Sequence, residues 1–240
     1  GAGIMGNTTG AAYVFTAVGP GSWLQTAKVV ASDGQNNDYF GHSVATLSSS
    51  SLVAGAYGDD DTGDVSSGAT YIFTTTKTSG SWVQESKLVA SDCASYDYFG
   101  FSVATLSSSS LVAGAYGDDD MGSNSGSAYV FTTVTPGSWL QTAKVVASDG
   151  SAFDYLGYSL AGLSDSSLVA GAYGLDETGV GNDVGAAYVF TLSSGSWAQA
   201  NTSVMASDAA AGDKYGYAVA GLSSDRFVSG AYGDAACCNQ

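Results

Sequence analysis

The 240-residue sequence predicts an all-β fold: a β-propeller of four four-stranded blades, with one blade split between the N- and C-termini. Three observations carry that prediction. Trp23, Trp82, Trp139 and Trp197 recur at spacings of 59, 57 and 58 residues, and Gly55, Gly114, Gly171 and Gly230, each opening Gly-Ala-Tyr-Gly, at 59, 57 and 59. Within each period, four short runs rich in Val, Ile, Tyr, Phe and Thr are bounded by turn residues, and none has a helical period. The runs are also offset, so that the chain starts halfway through one unit and ends halfway through another. Antiparallel units of this length suit propeller blades, somewhat above the usual ~40–50 residues; a stacked solenoid is the second architecture.

The chain opens with the third and fourth strands of a unit, residues 11–15 and 23–30. In the first full unit, strand A is expected at 40–47, where small Gly41, Ser43 and Ala45 suit crowded backbones. Strand B follows at 52–57, strand C at 69–74 with Tyr71 and Phe73 on one face, and strand D at 82–89. Two more units repeat this order, and the chain finishes with strands A and B at 215–222 and 227–232. One domain over 1–240 results, with the split blade formed by 11–31 and 214–233 and complete blades at about 40–90, 99–147 and 156–206. If the first strand pairs beside the last, a ring closes with fewer exposed edges. A dimeric ring of eight blades, or a filament in which each tail completes the next head, uses the same complementarity. The residues leave these three open.

Charge narrows the partners. Twenty-two acidic against 6 basic residues give −16 and a pI near 4.1, which argues against nucleic acid and against anionic membranes, and makes cations the natural counter-species. No apolar run of about 18 residues spans a bilayer and no signal segment opens the chain, so no membrane insertion is expected. The start at Gly1 reads as a processed or excised piece.

Strand alternation sends the D-to-A crossings and B-to-C loops to one face, and nineteen of the 22 acidic residues fall there. The sharp reading is a set of Ca²⁺ ligands, because calcium takes six to eight oxygens. Its candidates are Asp33, Asp38, Asp59, Asp60, Asp61, Asp92, Asp97, Asp118, Asp119, Asp120, Asp149, Asp154, Asp176 and Glu177. The plain reading is that these are solvated loop carboxylates that cap turn amides. Leu175 in the third unit, and Ala235 and Ala236 in the fourth, interrupt the acidic triplet, so those sites are expected to be weaker or absent.

His42 stands where other units carry Phe101, Tyr158 and Tyr217, and is read as packing, since it lacks the partners that acid–base chemistry needs. No catalytic triad or zinc-spaced set can be assembled. The tryptophans are read as inter-blade packing, with sugar stacking as the alternative. Lys28, Lys87 and Lys144 recur in strand D, with Ser203 in the fourth copy, and are read as edge gatekeepers. Cys93, Cys237 and Cys238 are disulfide candidates, within the chain or between subunits, and Asn7 and Asn201 head glycosylation sequons.

Phe40-Gly41 and Phe99-Gly100, each followed by Gly-Ala-Tyr at Gly55 and Gly114, resemble the FG-GAP repeat of the integrin α-subunit β-propeller; Leu156-Gly157 and Tyr215-Gly216 are conservative departures. The resemblance covers essentially the whole chain. It implies an extracellular or cell-surface propeller for adhesion, recognition or surface structure, generally without catalysis. The family's calcium loop between strands A and B is replaced here by serine-rich turns such as residues 48–51, so its ligands do not carry over. Together these readings give a non-enzymatic structural or adhesive repeat module, calcium-stabilised and self-associating as a ring or filament subunit, with a glycan or cell-surface protein as a further partner. A carbohydrate-binding propeller is the alternative, and an accessory region of a larger enzyme is the third reading.

Overall fold

A computed structural model of the protein describes residues 8–60, 63–75, 81–135, 137–200 and 203–235. These form sixteen strands and, among the described residues, no helix. Three antiparallel four-stranded sheets follow one another: β3 (Ser43–Ser48), β4 (Ser51–Ala56), β5 (Ala69–Thr75) and β6 (Trp82–Leu88); then β7 (Ser102–Ser107), β8 (Ser110–Ala115), β9 (Ser127–Thr135) and β10 (Ser138–Val145); then β11 (Ser159–Ser164), β12 (Ser167–Ala172), β13 (Ala186–Ser193) and β14 (Ser196–Gln199). Two hairpins flank them, β1 (Ala12–Gly19) with β2 (Ser22–Val29) and β15 (Tyr215–Ser223) with β16 (Arg226–Ala231). Each sheet has the blade order expected from the repeat. The two hairpins remain separate two-stranded sheets, so the pairing of the first strand beside the last is not made within the chain.

The first strand of each four-stranded sheet starts later than the sequence pattern suggested, at Ser43 rather than at Phe40 in the first, whereas β15 starts at Tyr215 as expected. Phe40 and Gly41 belong to a link between units. Gly10, Gly68, Gly126 and Gly185 form single parallel bridges to Phe40, Phe99, Leu156 and Tyr215 of the next unit. At Gly41 and Gly100 the backbone runs at φ 84° and 82°, a region that disfavours side chains. The aromatic or leucine side chain at each link drops into the inter-sheet core, where Phe99 and Leu156 are fully buried. Gly55 and Gly114 are required by close approach: a Cβ there would lie 1.9 and 2.1 Å from the carbonyl oxygens of Gly100 and Gly157. The FG and GA elements thus join neighbouring sheets backbone to backbone.

The inner strands β3, β7, β11 and β15 lie side by side, and apolar cores fill the spaces between successive sheets. Trp82, Trp139 and Trp197 each pack partly buried against one of these cores. Trp23 opens the same strand position in β2 but is 68 % exposed, because no preceding sheet covers it. A one-residue bulge interrupts the pairing of β5 with β6 and of β9 with β10, leaving Glu85 and Thr142 without an opposite partner. It decides which side chains share a face. Trp82, Gln84 and Lys87 stand opposite Thr75, Phe73 and Tyr71, all on the side of β5 that meets the preceding unit.

His42 lies in a run of inner-strand rings, with centroid separations of 4.5 Å to Phe101, then 4.8 Å from Phe101 to Tyr158 and 4.9 Å from Tyr158 to Tyr217. Burial lowers its proton affinity, as expected of a packed imidazole.

Candidate cation sites

The fourteen acidic candidates divide into three structural classes, with Asp61 outside the described residues. The second aspartate of each crossing is buried and ties its own turn: Asp38, Asp97 and Asp154 accept backbone N–H bonds from Gln35, Ala94 and Ser151, and Asp213 accepts one from Ala210. Burial raises Asp97 and Asp154 to about 6 despite those bonds. The middle acid of each triplet ties its loop. Asp60, Asp119 and Asp176 accept from the backbone N–H groups of Ser66, Asn124 and Asp183. For these residues the turn-capping reading describes the geometry.

The remaining acids converge between the sheets. Gln84, Gln141 and Gln199 accept N–H bonds at 2.9 Å from Ser32, Ser91 and Ser148, which fixes the preceding crossing and the aspartate that follows each serine. In the second full repeat, Asp92 from the crossing meets Asp118 and Asp120 from the β8–β9 loop, with carboxylate oxygens within 4.8 Å of one another. The bulge brings Lys144 to the same place. Its Nζ lies 2.8 Å from Asp92, 2.8 Å from Asp118 and 2.6 Å from Asp120. The Tyr129 hydroxyl donates to Asp118 at 2.7 Å, Ser127 donates to it at 2.9 Å, and Nζ stands 5.2 Å from the Tyr129 ring centroid. Burial alone would raise Asp118, but these donors hold it below the usual carboxylate value; burial alone would lower Lys144, but its carboxylates raise it.

The first full repeat is built alike. Lys87 Nζ lies 3.0 Å from both Asp33 and Asp59, and the Tyr71 hydroxyl donates to Asp59 at 2.6 Å. Lys87 and Lys144 are therefore not edge gatekeepers. They are internal counter-ions, in the position where the sequence suggested calcium, and a calcium ion entering either cluster has to displace an ammonium group already held by at least two carboxylates.

The third repeat departs from this plan. Val204 bridges Ala187 as Val145 pairs Ala128, so Ser203 takes the register of Lys144 opposite the tyrosine, here Tyr188. Leu175, buried, replaces Asp118. Asp149 and Glu177 remain, and the fully buried Tyr188 hydroxyl faces Asp149 at longer range than Tyr129 meets Asp118. Burial raises the proton affinity of that hydroxyl, with further contributions from the charge and hydrogen bond of Asp149 and from the charges of Asp154 and Glu177.

Cys93 is a half-buried free thiol; Cys237, Cys238, Asn7 and Asn201 lie outside the described residues. The recurring glutamines and tyrosines escaped the sequence reading. Their signals were present: Gln25, Gln84, Gln141 and Gln199 all stand two residues after a tryptophan.

The FG-GAP repeat family matches residues 23–73, 82–131 and 139–190, well over half of the chain. The chain belongs to the FG-GAP repeat family. Each matched interval starts at one of the tryptophans, so the family period is the one set by the inter-sheet packing. No curated protein sequence matches. Solved structures similar to this FG-GAP chain include Sqt1 of Saccharomyces cerevisiae, at 12 % identity and a TM-score of 0.45, covering 72 % of this chain and 37 % of that one. The chain thus spans well under half of that protein's length. Among the described residues, no helix is long and apolar enough to cross a membrane.

Proposed function

We propose that this FG-GAP chain is a non-enzymatic, extracellular structural or adhesive module that assembles by completing its split blade with the matching half of another copy. The observation that carries the reading is the pair of terminal hairpins. β1–β2 is the C–D half of a repeat and β15–β16 the A–B half, each with an open edge. The pairing of β4 with β5 is the template: applied to the ends, it sets Gly230 opposite Ala12 and Val228 opposite Val14. Beside β1 runs a groove of about 630 Å³ lined by Ala12, Val14, Val44, Leu52 and Trp82, the position a B strand occupies in the intact blades.

Charge agrees with this pairing. Lys28 faces the Tyr13 ring at 5.8 Å, as Lys87 faces Tyr71, but among the described residues it has no carboxylate partner. By repeat position its counter-charges are Asp208 and Asp234, both at the other end of the chain. Docking of a second copy brings that set together and covers Trp23.

Light scattering across a concentration series tests the reading. Expected is a mass above 24.0 kDa that falls in Lys28→Glu and is restored when Lys28→Glu is mixed with Asp234→Lys. A monomer at every concentration would sink it, and a native polypeptide carrying further repeats would assign the missing halves to its own flanking blades. Negative-stain images separate rings from fibres.

A carbohydrate-binding reading draws on Tyr96 and Phe153, 55 % and 54 % exposed on the acidic crossings. It predicts hits on a glycan array that Tyr96→Ala abolishes.

A further inference from the structure

We propose that Tyr158 and Tyr217 form a site of oxidative coupling, whose product is an intrachain dityrosine that clasps the terminal hairpin β15–β16 to the third sheet. Tyr158 immediately precedes β11 and Tyr217 lies in β15. Their ring centroids stand 4.9 Å apart at an interplanar angle of 44°, and the Tyr158 hydroxyl donates to the Tyr217 oxygen at 2.9 Å. Since the oxygens are closer than the centroids, the two rings form a wedge that narrows towards the hydroxyls. The carbons beside each hydroxyl lie at that narrow end. These carbons carry much of the unpaired spin of a phenoxyl radical, and their p orbitals point across the wedge, the direction in which a new bond grows.

Among the described residues this is the one hydrogen bond between two phenols. Tyr39–Tyr57, Tyr98–Tyr116 and Tyr155–Tyr173 stack within 10° of parallel, without such a bond. His42 and Phe101 fill the same ring position in the earlier repeats, and neither forms a phenoxyl radical. A way in for an oxidising equivalent is present. Tyr232 is 65 % exposed and meets Tyr217 at 4.5 Å and 65°, an edge-to-face contact that passes an electron without aligning the rings for bonding. Tyr217 itself borders a groove of about 410 Å³.

The co-reactant is hydrogen peroxide acting through a haem peroxidase. Each phenol gives up one electron and its hydroxyl proton, the two radicals join through a carbon–carbon bond, and the hydrogen on each joined carbon shifts to restore the hydroxyl. The two electrons and two protons released reduce one peroxide to two waters. The link joins positions 59 residues apart and ties down a two-stranded hairpin, an element of marginal stability by itself.

The test treats an equal mixture of heavy-nitrogen-labelled and unlabelled full chain with peroxide and a haem peroxidase, so that a link within one chain joins two peptides of like label. It is therefore independent of whether copies assemble. Expected are dityrosine fluorescence, a linked peptide pair of like label carrying Tyr158 and Tyr217, and an unfolding midpoint higher by about 5–10 °C. Tyr158→Phe and Tyr217→Phe should each remove that pair and that rise while the chain still folds, because Phe101 already holds the equivalent ring position in the second repeat. Phe101→Tyr added to Tyr217→Phe should move the link to Tyr158 and the Phe101 position, whose rings stand at 4.8 Å and 39°. Dityrosine formed only between chains or mapped to other tyrosines, a yield unchanged in Tyr217→Phe, or a double variant that does not couple at the new position would overturn the proposal. A link formed with no rise in the midpoint would overturn the clasp.

Discussion

The second and third repeats share strand order, tryptophan packing and the glutamine tie, yet one encloses a lysine among three carboxylates and the other sets a buried tyrosine against Asp149 with no lysine. Four replacements at the cluster separate them: Lys144 by Ser203, Asp118 by Leu175, Asp120 by Glu177 and Ser127, a donor to Asp118, by Ala186. Because the lysine and the buried Asp118 are replaced together, the third repeat avoids a buried carboxylate without its counter-ion, which is the costly combination. What the comparison teaches is that acid count alone does not identify a cation site in such a repeat. The residue opposite the tyrosine decides whether the site is already occupied.

The strongest way to break this comparison is to remove the internal cation. Lys144→Met should cost about 3–5 kcal/mol in urea unfolding, because Asp118 stays buried without its partner. Ser203→Ala, at the matching position, should change stability by less than about 0.5 kcal/mol. Equal effects at the two positions would show that the lysine is a surface group after all.

The tyrosines sharpen it further. Tyr129→Phe removes a short bond from a donor to a charged acceptor and should cost about 1.5–3 kcal/mol, whereas Tyr188→Phe removes only the long contact to Asp149 and should cost less than about 1 kcal/mol.

The smallest effect is the pH dependence of the crossings, which the two repeats share. In the folded chain Asp97 and Asp154 titrate near 6, above the value of an unfolded aspartate, so the folded state binds more protons between about pH 4 and 6. Stability should therefore rise as pH falls from 7 towards 5. Below about pH 4 the sign reverses, because Asp118 is held low and the stability it contributes is lost as it protonates. Asp97→Asn with Asp154→Asn should flatten the upper limb, by on the order of 1 kcal/mol per site after solvent screening. An unchanged profile would place the slope in the overall net charge.

Much of this was legible in the sequence because the repeat is written in residues that backbone geometry demands. Trp82, Trp139 and Trp197 mark the inter-sheet packing, and Gly55 and Gly114 mark contacts that admit no Cβ, so their pitch revealed blades and their order. The start of strand A was misplaced because Phe40 and Gly41 look like strand residues locally, and their parallel link to Gly10 is a contact 30 residues away. The acidic face was legible from strand alternation. Its internal division was not, because that depends on where single carboxylates point. Asp97 looks no different from Asp92 in sequence, yet one ties a turn and the other meets Lys144. The lysines were read as edge residues because they recur in strand D, and the bulge that brings Lys87 onto the face of Trp82 and Gln84 has no signature in the local sequence.

That misreading traces to the unopposed residue in strand D, which sets Gln141 and Lys144 on one face three positions apart instead of two. Removing Thr142 would leave Gln141 two positions before Lys144, still on that face of a regular strand, whereas removing Leu140 would turn Trp139 away from both. The place of a length change, more than its size, is therefore the trait to compare first when further copies of this module are aligned.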